Sequence, residues 1–153
     1  MTAPIPDSDG ALAATQAALG AEHAAVWCCG LATAFLPASA AQPLADAALA
    51  HRQRRDALLA RLEASGQQPV PAAAAYATPR PVTDAASAAA LLVTAEDDVA
   101  GAWRAVLERT DDRDLRTTGV AAMTAATTVG RRWRALAGIT PTVPTMPGTA
   151  PTG

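Results

Sequence analysis

Residues 17–30 read AALGAEHAAVWCCG, an apolar, alanine-rich run interrupted near its middle by Glu22 and His23. Alanine has the highest helix propensity of any residue, so the stretch reads as helix. A helix this apolar is built to be buried, and a carboxylate in its interior then needs a partner. That partner can be a metal ion, a substrate or another side chain, and the choice decides how the fold is read.

The 153-residue chain is 50% hydrophobic but holds only three Trp, one Tyr and one Phe, so alanine carries much of its apolar content. A single all-α domain with a proper core follows from that length and composition. Helical periodicity falls into four segments. The first starts at Ser8 or Asp9 and is interrupted by Pro37 and Pro43; the second starts near Pro43 and ends at Gly66. Thr83 and Asp84 cap a third that extends to Thr110, and Asp111 or Asp112 opens a fourth that continues to Gly138. Between the second and third lies GQQPVPAAAAYATPRPV, an ordered, irregular connection with four prolines.

Each helix is about 23 to 28 residues, roughly 35 to 42 Å long. Short links within each pair predict two antiparallel hairpins, and the Pro/Ala-rich link predicts a long crossover down the side of the bundle. Short, long, short is the connectivity of a ferritin-like four-helix bundle. The chain therefore divides into a flexible N-terminus at 1–7, a bundle at 8–138 and a loosely attached Pro/Thr-rich tail at 139–153.

A net charge of −2 gives no reason to expect nucleic acid or a membrane surface as partner. No basic residue precedes an apolar stretch at the N-terminus, and the uncharged run from Ala24 to Pro37 falls short of the roughly 20 residues that span a bilayer. A cytoplasmic location is the expectation. Cys28 and Cys29 are adjacent, poor geometry for a disulfide, and read as small inert core residues.

Steps of three and four along each helix give the inward stripes. They run through Leu12, Leu19, Glu22, Val26 and Gly30, then Leu44, Ala48, His51, Arg55, Leu58 and Leu62. The third and fourth follow Leu92, Glu96, Val99, Trp103 and Val106, then Leu115, Gly119, Ala122, Ala126, Val129, Trp133 and Leu136. Glu22, His51, Arg55 and Glu96 thus meet at mid-bundle as a polar core. Glu22, His51 and Glu96 could take a single iron, manganese or zinc ion. Alternatively, Arg55 and His51 neutralise the two carboxylates directly. A di-iron bundle needs Glu-x-x-His on two helices. Here the residue three before His51 is Ala48, and no Glu or His occurs between Leu115 and Gly138. The structural solution fits better, with no catalytic residue and no cofactor expected.

Five motifs occur in order: EHAAVW, HRQRRDALLARL, AAAAYATPRPVTDAASAAAL, AEDDVAGAWRAVLE and RRWRALAG. As a set they resemble the ferritin-like family of small actinobacterial proteins known as a domain of unknown function, from about Ala11 to Gly148. The resemblance implies a ferritin-like bundle with no enzymatic activity to carry over. It marks Glu22, His23, His51, Arg54, Arg55, Tyr76, Glu96, Trp103, Arg104 and Trp133 as motif positions. Similar proteins end in aromatic-Pro-Gly, where this chain has Met146-Pro147-Gly148.

His23 lies about 100° around the helix from Glu22 and is expected half-exposed or paired across the first helix interface. Tyr76 should pin the crossover, and the Trp residues should fill space that alanine leaves. Arg52, Arg54 and Arg55 have no glycine-rich phosphate loop beside them and read as partners for acidic residues. The sum is a non-catalytic interaction or scaffold protein, a homodimer through the outward alanines Ala85, Ala88 and Ala89 of helix three. A metal-binding protein or oxidoreductase at Glu22, His51 and Glu96 is the alternative, and a small-ligand binder in the bundle core a third.

Overall fold

The computed structural model describes residues 8–149, and the expectation for residues 1–7 lies outside them, as does the end of the tail. Among the described residues there are four α-helices and no strands: α1 (Asp9–Ala32), α2 (Ala41–Ala64), α3 (Ala85–Leu107) and α4 (Arg113–Ala137). No helix is long and apolar enough to cross a membrane.

Side chains set the boundaries. Ser8 Oγ accepts from the Ala11 N–H at 3.2 Å, and Asp84 and Ser87 form a reciprocal capping box at the start of α3. Asp112 accepts from the Leu115 N–H at 2.7 Å to open α4. Gly138, at φ 70°, ends α4 in the left-handed region. Helix α2 starts two residues before Pro43, because a short 3-10 turn over Ala38–Ala40 leads into it. Helix α3 stops at Leu107, short of Thr110, whose Oγ1 instead accepts from the Asp112 N–H in the turn to α4.

Helix α1 packs on both α2 and α3, and α3 packs on α4. A Cβ on Gly10 would lie 3.8 Å from Arg109 Cδ, so the start of α1 meets the end of α3. Arg61, near the end of α2, reaches Asp112 at the start of α4 at 3.4 Å. Residues 68–76 of the connection run beside α1: Gln16 bonds Gln68 O and the Val70 N–H, each at 2.8 Å, His23 bonds Val70 O, and Trp27 and Tyr76 rings meet at 5.9 Å. Gln16, His23 and Trp27 fall on one face of α1, which is therefore given over to holding this connection.

The core is alanine filled in by a few large side chains, with Trp103, Trp133, Leu19, Leu62 and Leu92 fully buried. Cys28 and Cys29 are free buried thiols, and burial, followed by nearby acidic side chains, pushes them up to about 11 and about 12. Several inward positions differ from the sequence pattern. Gly30 and Leu136 are exposed, whereas Ala88 and Ala89 of α3, read as an outward dimer face, are fully buried. In an alanine-rich helix both faces carry alanine, so hydrophobicity does not single out the inner one. Part of the tail lies against α3. Gly148, at φ 78°, sits so close to α3 that a Cβ would be 2.9 Å from Ala100 O, a place only glycine can occupy.

Glycine positions test this packing. A Cβ at Gly119 of α4 would lie 2.9 Å from Leu107 Cδ2 and 3.5 Å from Trp103, whereas one at Gly20 meets nothing within 4 Å. Chemical denaturation should find Gly119→Val destabilised by about 1–3 kcal/mol through overpacking. The same measurement on Gly20→Ala should show a gain of about 0.5–1 kcal/mol from helix propensity.

Candidate functional site

Midway along the bundle, α1 contributes Glu22, α2 contributes His51 and Arg54, and α3 contributes Glu96 and Trp103. Glu22 is fully buried, and His51 and Glu96 are 2% and 3% exposed. Helix α4 faces this level with the buried alanines Ala122 and Ala126 and with Gly130, where a Cβ would be 3.5 Å from Glu96 Cβ.

Glu22 is saturated. Its Oε2 accepts from His51 Nδ1 at 2.7 Å, and its Oε1 accepts from Arg54 Nε at 2.6 Å and Trp103 Nε1 at 2.8 Å. On its other side His51 Nε2 lies 3.3 Å from Glu96 Oε1. With both ring nitrogens facing carboxylates, the imidazolium donates twice. Arg54 Nη2 is 2.8 Å from Nδ1, but that proton is directed to Glu22, so this is a close approach of two donors and not a hydrogen bond. Two acidic side chains face two basic ones, and the formal charge of the cluster cancels.

Burial alone would push the Glu22 carboxyl up. The hydrogen bond from His51 and the charge and hydrogen bond of Arg54 outweigh it and hold the group below its ordinary 4.5. Burial likewise pulls His51 down, but the hydrogen bonds and charges of Glu22 and Glu96 carry it up to about 9.

Arg55, expected in the polar core, is not there. Its guanidinium bonds the neighbouring Asp56 at 2.8 Å and its side chain is 26% exposed. The inward stripe of α2 runs Leu44, Ala47, His51, Arg54, Leu58, stepping three then four, so Arg54 takes the place given to Arg55 and Ala47 the place given to Ala48. Stepping four then three from Leu44 also meets an alanine and an arginine, and hydrophobicity alone cannot separate the two.

The remaining motif positions do other work. His23 is buried and reaches the connection through Val70 O at 3.2 Å, instead of being half-exposed. The Tyr76 hydroxyl accepts from the Ala73 N–H at 3.0 Å while its ring rests on Trp27. Arg104 pairs with Glu108 one turn on, at 2.8 Å. Trp133 is fully buried with its Nε1 unpartnered among the described residues. Sequence reasoning missed Arg134, which bonds Asp97 at 2.7 Å beside the tail, and the Trp103 N–H on Glu22. The seven-residue spacing of Glu96 and Trp103, two helical turns on one face, is the signal that places Trp103 near the cluster.

One polar atom of the cluster lacks a partner, Glu96 Oε2. Glu96 lines a cavity of about 10 Å³, roughly the space of one water, roofed by Pro144, Pro147 and Gly148 of the tail. Among the described residues no three His, Cys, Asp or Glu side chains are placed to hold a metal ion. The donor set does not fit a di-metal carboxylate centre: both His51 nitrogens face carboxylates, an arginine sits against Glu22, and α4 brings no His, Cys, Asp or Glu to this level.

Over residues 14–151 the chain matches the family described as domain of unknown function DUF4439, and it belongs to that family. It is similar to the crystal structure of a conserved hypothetical protein, rv2844, from Mycobacterium tuberculosis, with 37% identity and a TM-score of 0.81. That match covers 85% of this chain and 98% of the other. No curated protein matches the chain.

Two measurements probe the cluster. Arg54→Ala leaves a buried carboxylate without its guanidinium and should cost about 3 kcal/mol or more in denaturant unfolding. Arg55→Ala should stay within about 0.5 kcal/mol, as surface changes do. Stability should also follow pH with a definite sign. A raised His51 stabilises the fold fully below its unfolded value of 6.5, and the gain is lost as pH climbs through about 9. A lowered Glu22 stabilises above 4.5, and its contribution is lost as pH falls below that. Tm should therefore be highest between about 4.5 and 6.5, and His51→Gln should flatten the alkaline limb.

Proposed function

We propose that this chain is a ferritin-like, non-catalytic helical bundle whose buried Glu22–His51–Arg54–Glu96 network fixes helix register, and that it acts as an interaction scaffold. In this reading residues 8–138 form one bundle of two antiparallel hairpins joined by a long Pro/Ala-rich crossover, and residues 139–153 are its tail. The protein works in the cytoplasm as a homodimer, without cofactor, nucleic acid or membrane as partner.

The observation that carries the reading is that Glu22 is fully buried with both carboxylate oxygens already engaged. A catalytic carboxylate needs an oxygen open to substrate or to an activated water, within hydrogen-bond reach of the reacting group. Here one oxygen takes the imidazolium and the other takes Arg54 and Trp103. A His raised to about 9 is also poorly suited to act as a base near neutral pH. Networks of this kind suit register control, since a slipped helix would strand a buried charge.

One observation favours the alternative, a metal-binding protein or oxidoreductase: Glu96 Oε2 has no partner and lines a cavity. A core small-ligand binder has less support, because the larger cavities lie at the margins of the bundle and two of the three Trp side chains are sealed in the core. Elemental analysis of protein purified without chelator, then incubated with iron, manganese or zinc, separates the first two readings. The scaffold reading expects metal well below one per chain and an unchanged Tm. Near one ion per chain, lost in Glu96→Ala, would overturn it and make oxygen chemistry the next assay.

A further inference from the structure

Helix α2 is the most thinly attached of the four. Among the helices it packs closely on α1 alone, and its buried apolar side chains are Leu44, Ala47, Leu58 and Leu62. Its outer face carries Leu49, a large apolar side chain left 50% exposed. Beside it a groove of about 740 Å³ runs between α1 and α2, lined by small residues such as Gly30, Ala45 and Ala48, with Arg52 at one end. Arg52 is exposed and has no hydrogen-bond or ion-pair partner among the described residues.

Asp46 and Arg52 stand three residues before and three after Leu49. Each therefore lies about 60° around the helix from Leu49 and about 4.5 Å along the axis. Two α2 helices brought together antiparallel on a two-fold axis at Leu49 place Asp46 of each copy level with Arg52 of the other. Symmetry forms that ion pair twice and buries the two Leu49 side chains against each other. Asp46 Oδ1 already accepts from Gln42 Nε2 at 2.7 Å within α2, which leaves its second carboxylate oxygen for Arg52 of the other copy. A parallel arrangement would set Asp46 against Asp46 and Arg52 against Arg52, so the charge pattern selects the antiparallel one. Ala45, one turn before Leu49, is small enough to let the helices approach.

We propose that this face of α2 is a homodimer interface, with two copies meeting antiparallel on Leu49 and Asp46 of each paired to Arg52 of the other. The inference rests on the self-association in the reading above and moves it from α3, whose Ala88 and Ala89 are buried, to α2.

Sedimentation velocity across a dilution series tests it, with helix content and Tm recorded for each variant to confirm folding. The wild type should dimerise and dissociate on dilution. Leu49→Asp should be monomeric, and Asp46→Arg or Arg52→Asp alone should raise the dimer Kd roughly tenfold or more. The double charge swap Asp46→Arg with Arg52→Asp should return Kd to within about threefold of wild type. A wild type that is monomeric at every concentration overturns both this interface and the homodimer reading. A dimer that Leu49→Asp and the single reversals leave intact overturns this interface alone and sends the search to another face.

Discussion

The constraint on which the bundle depends is the fully buried Glu22 carboxylate. An ion taken out of water loses several kcal/mol of hydration that only close, well-directed donors can offset. Three donors from two other helices supply this, from His51 and Arg54 on α2 and Trp103 on α3. Each bond tolerates only a few tenths of an ångström of error. Sliding α1 along either neighbour by one residue would strand the charge. An alanine-lined interface, by contrast, is nearly featureless along its length and resists sliding weakly. The polar layer thus supplies the positional information that the alanine packing lacks.

Helix α4 is held differently. It brings no ionisable side chain to the cluster and is seated by glycine against bulk, with Gly119 opposite Leu107 and Trp103, and Gly130 opposite Glu96. Its rotation is set by steric fit and its neighbours' by charge. The tail extends the same device, since Gly148 brings its backbone onto α3 next to the one carboxylate oxygen of the cluster that no side chain satisfies. Small residues and buried charge are therefore complementary. The first let elements come close, and the second fixes where along the axis they stop.

Much of this was legible in the sequence, and the gaps have physical causes. Helix ends were readable because Ser8, Asp84, Asp112 and Gly138 act locally, through backbone groups a few residues away. The stripe of α3 was readable because Leu92, Glu96, Val99, Trp103 and Val106 recur at steps of three and four, anchored by Trp103, the bulkiest side chain of the helix. On α2 the inward choice lay between Ala47 and Ala48 and between Arg54 and Arg55, pairs identical in type, and only the position of α1 decides it. The role of His23 depended on where Val70 of the connection falls, a contact 47 residues away. The misplaced alanines of α3 have the same origin, because composition cannot orient a helix whose two faces are equally small.

The titrating group of the cluster sits on the helix that, among the four, packs closely on α1 alone. Helix α2 touches the core through two short runs, Leu44 with Ala47 and Leu58 with Leu62, and between them lie His51 and Arg54. Hydrophobic attachment is thus weakest where charge attachment is strongest. When His51 loses its proton near pH 9, one side of the Glu22 and Glu96 interactions weakens while both acidic groups stay buried. The strain falls on α2 before it reaches α1 and α3, which share Leu19, Leu92, Val99 and Trp103 within the apolar core. Local opening should begin where few buried contacts oppose it. That makes α2 the element whose position answers to charge, through His51 and Arg54 on its inner face.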